Sequence, residues 1–166
     1  YDSTTTINDG TLLANNNTGS ATGTGNVIVN NSGIFGGTGS ISGTVTLNNN
    51  SRLAPGTSPE SLATGSITWT VGSSFDVEIG GTTPTTQYDQ LLVTGSVTLG
   101  NATLNVLQFS GFNVSNVSQQ SYLIIDNDGT ADAVVGVFNS PLAVPLPEGS
   151  PISYLGGTLY ITYQGG

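Results

Sequence analysis

The chain has 166 residues, enough for one ordinary domain, with hydrophobic residues at 36% and charged residues at only 7%. Ten acids face a single Arg, with no Lys and no His, giving a net charge of −9. Phosphate recognition needs Lys or Arg, so nucleic-acid binding is excluded, and an anionic membrane surface would repel the chain. Cys and Met are absent, which suits an extracellular setting, and no apolar run approaches the roughly 20 residues that span a bilayer. The start at Tyr1, without Met or a signal-like segment, reads as a processed or excised piece.

Short β-branched runs bounded by Gly, Asn and Ser clusters follow one another along the chain: TTTI, GNVIV, GTVTL, GSITWTV, SFDVEI, LLVTGSVTL, ATLNVLQF, SYLIID, AVVGVF and TLYITY. None has a sustained 3.6-residue period, so the chain is predicted to be all-β. A unit of apolar residue, polar turn cluster and apolar residue recurs. Val29 to Phe35, Leu47 to Leu53 and Trp69 to Phe75 are six apart; Ile7 to Leu12 and Leu99 to Leu104 are five apart. The first members, at 7, 29, 47, 69 and 99, are separated by 22, 18, 22 and 30 residues. A period near 20 with one insertion predicts a parallel β-solenoid, in which equivalent apolar positions stack inside and equivalent asparagines stack at a corner. Stacked amides would pair between turns. Five units about 4.8 Å apart, plus a C-terminal part, would form a rod about 30–40 Å long. A sandwich of hairpins is the competing arrangement, because each polar cluster could close a hairpin.

The expected boundaries are residues 1–108 for the repeats and 109–166 for a C-terminal β part that caps the stack or exchanges strands, continuous with the repeats. Asn30, Asn49, Asn50 and Asn101 are the expected corner residues. Arg52, beside that corner, is expected to be solvated, with a salt bridge to a stacked acid or a neighbouring subunit as the alternative. Residues 81–90, GTTPTTQYDQ, form the insertion, expected as a Pro-containing loop with Tyr88 packed down; a surface presented by Tyr88 and Asp89 is the alternative. Trp69, at a repeat position, is expected inside. SPLAVPLPEGSP, with four prolines between 141 and 151, cannot be a central strand and reads as an extended loop over the end of the rod.

The blocks TTTINDGTLL, GIFGGTGSISGTVTLNNNSRLAPGTSPESL and VEIGGTTPTTQYDQLLVTGSVTLGNATLNV resemble the autotransporter-associated β-strand repeat family. The likeness runs from about Tyr1 to Phe109 and resumes at LIIDNDGTADAVVGVF and near the C-terminus. It implies a right-handed parallel β-helix, secreted or displayed on a bacterial surface, usually without enzymatic chemistry of its own.

Candidate chemistry is sparse. Without His, Cys or Lys the usual nucleophile–base pairs are unavailable, leaving only paired carboxylates; Asp76 and Glu78 share one face of a strand, where they are expected to be solvated. Asp126, Asp128 and Asp132 surround a Gly in DNDGTAD and offer hard oxygens for Ca²⁺. An EF-hand loop would place acids where Thr130 and Val137 stand, so a plain turn is the preferred reading and no cofactor is expected. Asn16, Asn30, Asn49, Asn101, Asn113 and Asn116 begin N-x-S/T sequons, as a chain rich in Asn, Ser and Thr would produce. Tyr88, Tyr122, Tyr154, Tyr160 and Trp69 are the aromatics available to stack on sugars. The expected molecule is a non-catalytic extracellular structural protein of a bacterial surface fibre or layer, self-assembling by stacking or strand exchange. The alternatives are an adhesin stalk binding glycans or host surface and, least favoured, a polysaccharide-active enzyme.

Overall fold

The computed structural model describes residues 1–112, 120–129 and 131–163. The sequons at Asn113 and Asn116, Thr130 of the acidic loop and the final residues 164–166 lie outside them. All regular elements among the described residues are strands, and none is a helix able to cross a membrane. In chain order they are β1 (Thr5–Ile7), β2 (Thr11–Leu13), β3 (Val27–Val29), β4 (Ile34–Gly37), β5 (Val45–Leu47), β6 (Arg52–Pro55), β7 (Ser61–Thr64), β8 (Ile67–Trp69), β9 (Ser74–Ile79), β10 (Gln90–Val93), β11 (Val97–Thr98), β12 (Thr103–Gln108), β13 (Ile125–Asn127), β14 (Val134–Val135), β15 (Phe138–Asn139), β16 (Pro145–Leu146), β17 (Pro151–Tyr154) and β18 (Gly157–Tyr160).

The strands build three sheets of parallel neighbours. Sheet A runs β1-β3-β5-β8-β11-β14, sheet B runs β2-β4-β6-β9-β12-β15 and ends in β16, and sheet C runs β7-β10-β13. Up to β15, consecutive strands in the sequence therefore lie in different sheets, and each pairs with its counterpart in a neighbouring pass of the chain. This excludes the hairpin sandwich for residues 1–139: the only antiparallel ladders among the described residues are β15 with β16 and β17 with β18. Parallel pairing also crosses residue 108, since β13, β14 and β15 join β10, β11 and β12.

The register follows the apolar repeat. Ile7 pairs with Val29, Val29 with Leu47 and Leu47 with Trp69 in sheet A. In sheet B, Leu12 pairs with Phe35, Phe35 with Leu53, Leu53 with Phe75 and Phe75 with Leu104. Alternation along each strand turns these side chains to one side, where Val29, Phe35, Leu47, Leu53 and Phe75 are fully buried. A slip of one residue would expose the whole set, so burial fixes the register. Trp69 is buried, as expected. Its ring lies 5.6 Å from Phe75, and both rings lie 6.0 Å from Phe138. Phe138 belongs to the pass two beyond theirs; it reaches them because the intervening position beside Leu104 is the small Ala102, also fully buried.

Passes approach closely where glycines coincide. A Cβ at Gly43 would run into the Gly25 carbonyl, and one at Gly25 into the Ser3 carbonyl, so this line of contact admits no side chain. The first two passes lack a strand in sheet C, and asparagine side chains bridge there instead. Asn15 and Asn16 accept from the Thr38 and Ser40 N–H groups at 3.1 and 3.0 Å, satisfying backbone that no ladder reaches.

The Pro-rich stretch is not the extended loop the sequence suggested. It contains β16 and the first residue of β17. Pro145 is tolerated because β16 is the outermost strand of sheet B, where a missing N–H breaks no central ladder. The β17–β18 hairpin then folds back on the molecule. The Tyr154 hydroxyl lies 2.9 and 3.1 Å from the Ile79 and Leu107 carbonyls. The Tyr163 hydroxyl accepts from Phe138 N–H and donates to Leu146 O at 3.0 and 2.7 Å.

Phe138→Ala removes the ring shared by two passes. The expected loss is about 3–5 kcal/mol, read as a lower urea midpoint.

Candidate functional site

The turns from sheet A to sheet B carry the first set of expected residues. Asn30 Nδ2 donates to Asn8 Oδ1 at 3.0 Å, and Asn48 Nδ2 donates to Asn30 Oδ1 at 2.7 Å. An amide ladder therefore connects three successive passes. It runs through Asn30 as expected, but through Asn8 and Asn48 in place of Asn49 and Asn50. The ladder uses the first residue of each turn, and the expected corner residues Asn49, Asn50 and Asn101 stand later in the same kind of turn. That first residue follows the last inward apolar position: Ile7, Val29 or Leu47. Asn50 and Asn101 have another task, adopting positive φ of 62° and 58°, a region Asn tolerates better than most residues. Their N–H groups donate to Gly72 O and Val137 O. The exposed Asn49 sets its side-chain oxygen where a Cβ on Gly72 would lie. In the turn after Trp69, Thr70 replaces the Asn and its hydroxyl reaches Leu47 O at 3.2 Å.

Beside this turn, the outer face of sheet B forms a second cluster. Arg52 is not merely solvated: its Nη1 lies 3.1 Å from Asp76 Oδ2, one pass later, so the stacked-acid alternative applies. Asn105, in register with Asp76, donates to its other oxygen at 2.7 Å. Asp76 is consequently buried, against the expectation of a solvated carboxylate, although its strand neighbours Phe75 and Val77 are the ones facing the core. Arg52, Asp76, Glu78 and Asp89 line a small open cavity of about 250 Å³ with Pro55 and Leu107.

Asp89 is only 1% exposed. The loop that precedes it packs Tyr88 down, as expected, against Tyr122 at a ring separation of 5.4 Å. Asp89 then accepts from the Glu60 and Glu78 N–H groups at 3.1 and 2.8 Å. This clamps the loop to the segment before β7 and to β9. Neither Tyr88 nor Asp89 presents a surface. Burial pushes the Asp89 carboxyl up to about 7 from 3.8; the two N–H donors oppose this, and the nearby Glu78 and Glu60 charges add to it. The sequence held a signal for this site in Y-D near the end of the insertion. Only the fold reveals that the Asp returns to Glu60 and Glu78.

The DNDGTAD loop is shaped by its own amides. Asn127 Nδ2 donates to Asp132 O at 2.8 Å, and Asp128 N–H donates to Val93 O at 3.0 Å. Among the described residues no three metal-ligating side chains of Asp126, Asp128, Asp132 or others gather at a metal site. Of the aromatics considered for sugar stacking, Trp69, Tyr88 and Tyr154 are buried, whereas Tyr160 is 70% exposed. No family model, curated protein or solved structure matches the chain.

Asn30→Ala breaks both ladder bonds, with an expected cost of about 1–2 kcal/mol in urea unfolding. For Asp89, the folded-state shift is upward, so its contribution to stability is fully present below about pH 4 and is lost as pH rises through about 7. Urea midpoints between pH 4 and 8 are expected to decline over this window in the native sequence. The decline should be shallower in Asp89→Asn.

Proposed function

We propose that the chain is a right-handed parallel β-helix with a structural, non-catalytic role outside the cell, as a subunit of a bacterial surface fibre or layer. The observation that carries this reading is the unbroken parallel, in-register pairing from β1 to β14 in sheet A and from β2 to β15 in sheet B. Within it, buried apolar positions recur from pass to pass, and an amide ladder links the first three passes. The likeness to autotransporter-associated β-strand repeats supports a secreted or surface setting.

Two of the carboxylates near the Arg52 cavity are engaged in structural contacts: Asp76 holds Arg52 and Asn105, and Asp89 holds two backbone N–H groups. This favours structure over catalysis, and the reading requires no cofactor. A glycan-binding stalk is the second reading, supported by the exposure of Tyr160 alone.

Self-association is assigned to the outer edges of β1 and β2, which begin sheets A and B. Thr5 N–H already bonds Asn26 O, and Ala14 N–H bonds Gly36 O. Alternation along a parallel strand therefore turns the Thr6 and Leu13 N–H groups outward, where another strand can pair with them. At the other end sheet B closes with β16 and Pro145, but sheet A ends at β14, whose outer edge can meet β1 of a second copy so that the contact propagates.

Electron microscopy and sedimentation velocity across a concentration series test this reading. Fibres or growing oligomers are expected from the native sequence, and Thr6→Pro with Leu13→Pro should abolish them while leaving the circular dichroism unchanged. Monodisperse particles at every concentration would sink the assembly role.

A further inference from the structure

Strands β9 and β12 are six residues long, and their register runs to Glu78↔Leu107 and Ile79↔Gln108, beyond where β6 ends against β9. Their inward side chains thus extend past the stacked core. The space beside them is walled by Ile79 and Val106 from sheet B, by Ile124 ahead of β13, and by Ile152 and Leu159 from the β17–β18 hairpin. It encloses about 430 Å³, within the usual 300–1,000 Å³ of small-molecule sites. A second space of about 100 Å³ shares Tyr122, Ile124 and Ile161 with it and is bounded by Asn127.

Two polar atoms at these walls are buried without a hydrogen-bond partner among the described residues: the Tyr122 hydroxyl and Asn127 Oδ1. Asn127 itself is only 9% exposed, and its Nδ2 is already committed to Asp132 O. Buried polar groups are rarely left unpaired. Tyr122 lines both spaces and Asn127 the smaller one, and the larger space sets Gln120, Ser121, Thr158 and Thr162 among its apolar walls. No acidic or basic side chain lines either space. A charged ligand would lie there without a counter-charge, at high desolvation cost.

We propose that this chamber binds a neutral, elongated apolar molecule carrying a hydroxyl group. The apolar body lies between sheet B and the C-terminal hairpin, and the hydroxyl is held by the Tyr122 hydroxyl and Asn127 Oδ1. The hydroxyl accepts from the first and donates to the second, so one group satisfies both atoms. This assignment is independent of the assembly role.

The test uses the full chain and the neutral dye N-phenyl-1-naphthylamine, with 1-dodecanol and dodecanoate as competitors at pH 8. Saturable dye fluorescence with one site per chain is expected, displaced by 1-dodecanol and not by dodecanoate. Val106→Trp and Ile152→Phe fill the chamber from opposite walls. Each should weaken the dye at least about tenfold, and if one fails to fold, by circular dichroism, the other carries the test. Tyr122→Phe keeps the shape, so the dye should bind as before while 1-dodecanol competes about tenfold less well. Absence of saturable binding, or dye binding indifferent to a folded wall variant, overturns the site. Equal displacement by dodecanoate, or unchanged 1-dodecanol competition in Tyr122→Phe, overturns the neutral hydroxyl ligand.

Discussion

Parallel pairing of each strand with its counterpart one pass later is the constraint on which the structure rests. Such pairing places identical backbone groups against each other, so the same residue types must recur at the same points of every pass. Apolar residues occupy the inward positions because one side of each sheet is removed from water. Glycine stands where carbonyls of adjacent passes nearly touch, as at Gly25 and Gly43. Amides and hydroxyls occupy the turns because main chain leaving a ladder still needs partners. With 7% charged residues, the polar side of this scheme is almost wholly uncharged. The single Arg is spent on the one carboxylate that sheet B buries on its outer face.

Much of this was legible in the residues. The spacing of Val29 and Phe35, Leu47 and Leu53, and Trp69 and Phe75 gave the register of two sheets, because a buried position tolerates no slip. Strands β4, β6 and β7 were harder to recognise. IFGG and RLAP end in turn-forming residues, and SLAT has little β preference; they are extended because flanking passes template them. The amide ladder was legible as a principle but misplaced in detail, since a run such as NNN does not say which amide points along the stack. The Asp89 clamp was illegible, because Glu60 and Glu78 lie far from it in sequence and meet it only through the fold of the 81–89 loop.

The C-terminal third shows how tertiary context overrides local signals. Four prolines in SPLAVPLPEGSP argue against a central strand, and the strands that lie there, β16 and the start of β17, are an outermost strand and one half of a two-stranded hairpin. Proline is costly to a ladder only where its N–H would have been used, and an outermost strand has a free side. Tyr154 and Tyr163 then fasten this region to the parallel part through their hydroxyls, contacts that no periodicity announces.

The antiparallel β16 gives the molecule an invariant terminus. Every strand of sheets A and B before it pairs in parallel with a neighbouring pass, so duplication of one whole repeat would preserve the backbone ladders. Deletion of one would do the same. Loss of the terminator would instead expose the inside of Phe138 and the margin of sheet B at once. Length is therefore an adjustable property of this architecture, while its closing segment has only one place to sit.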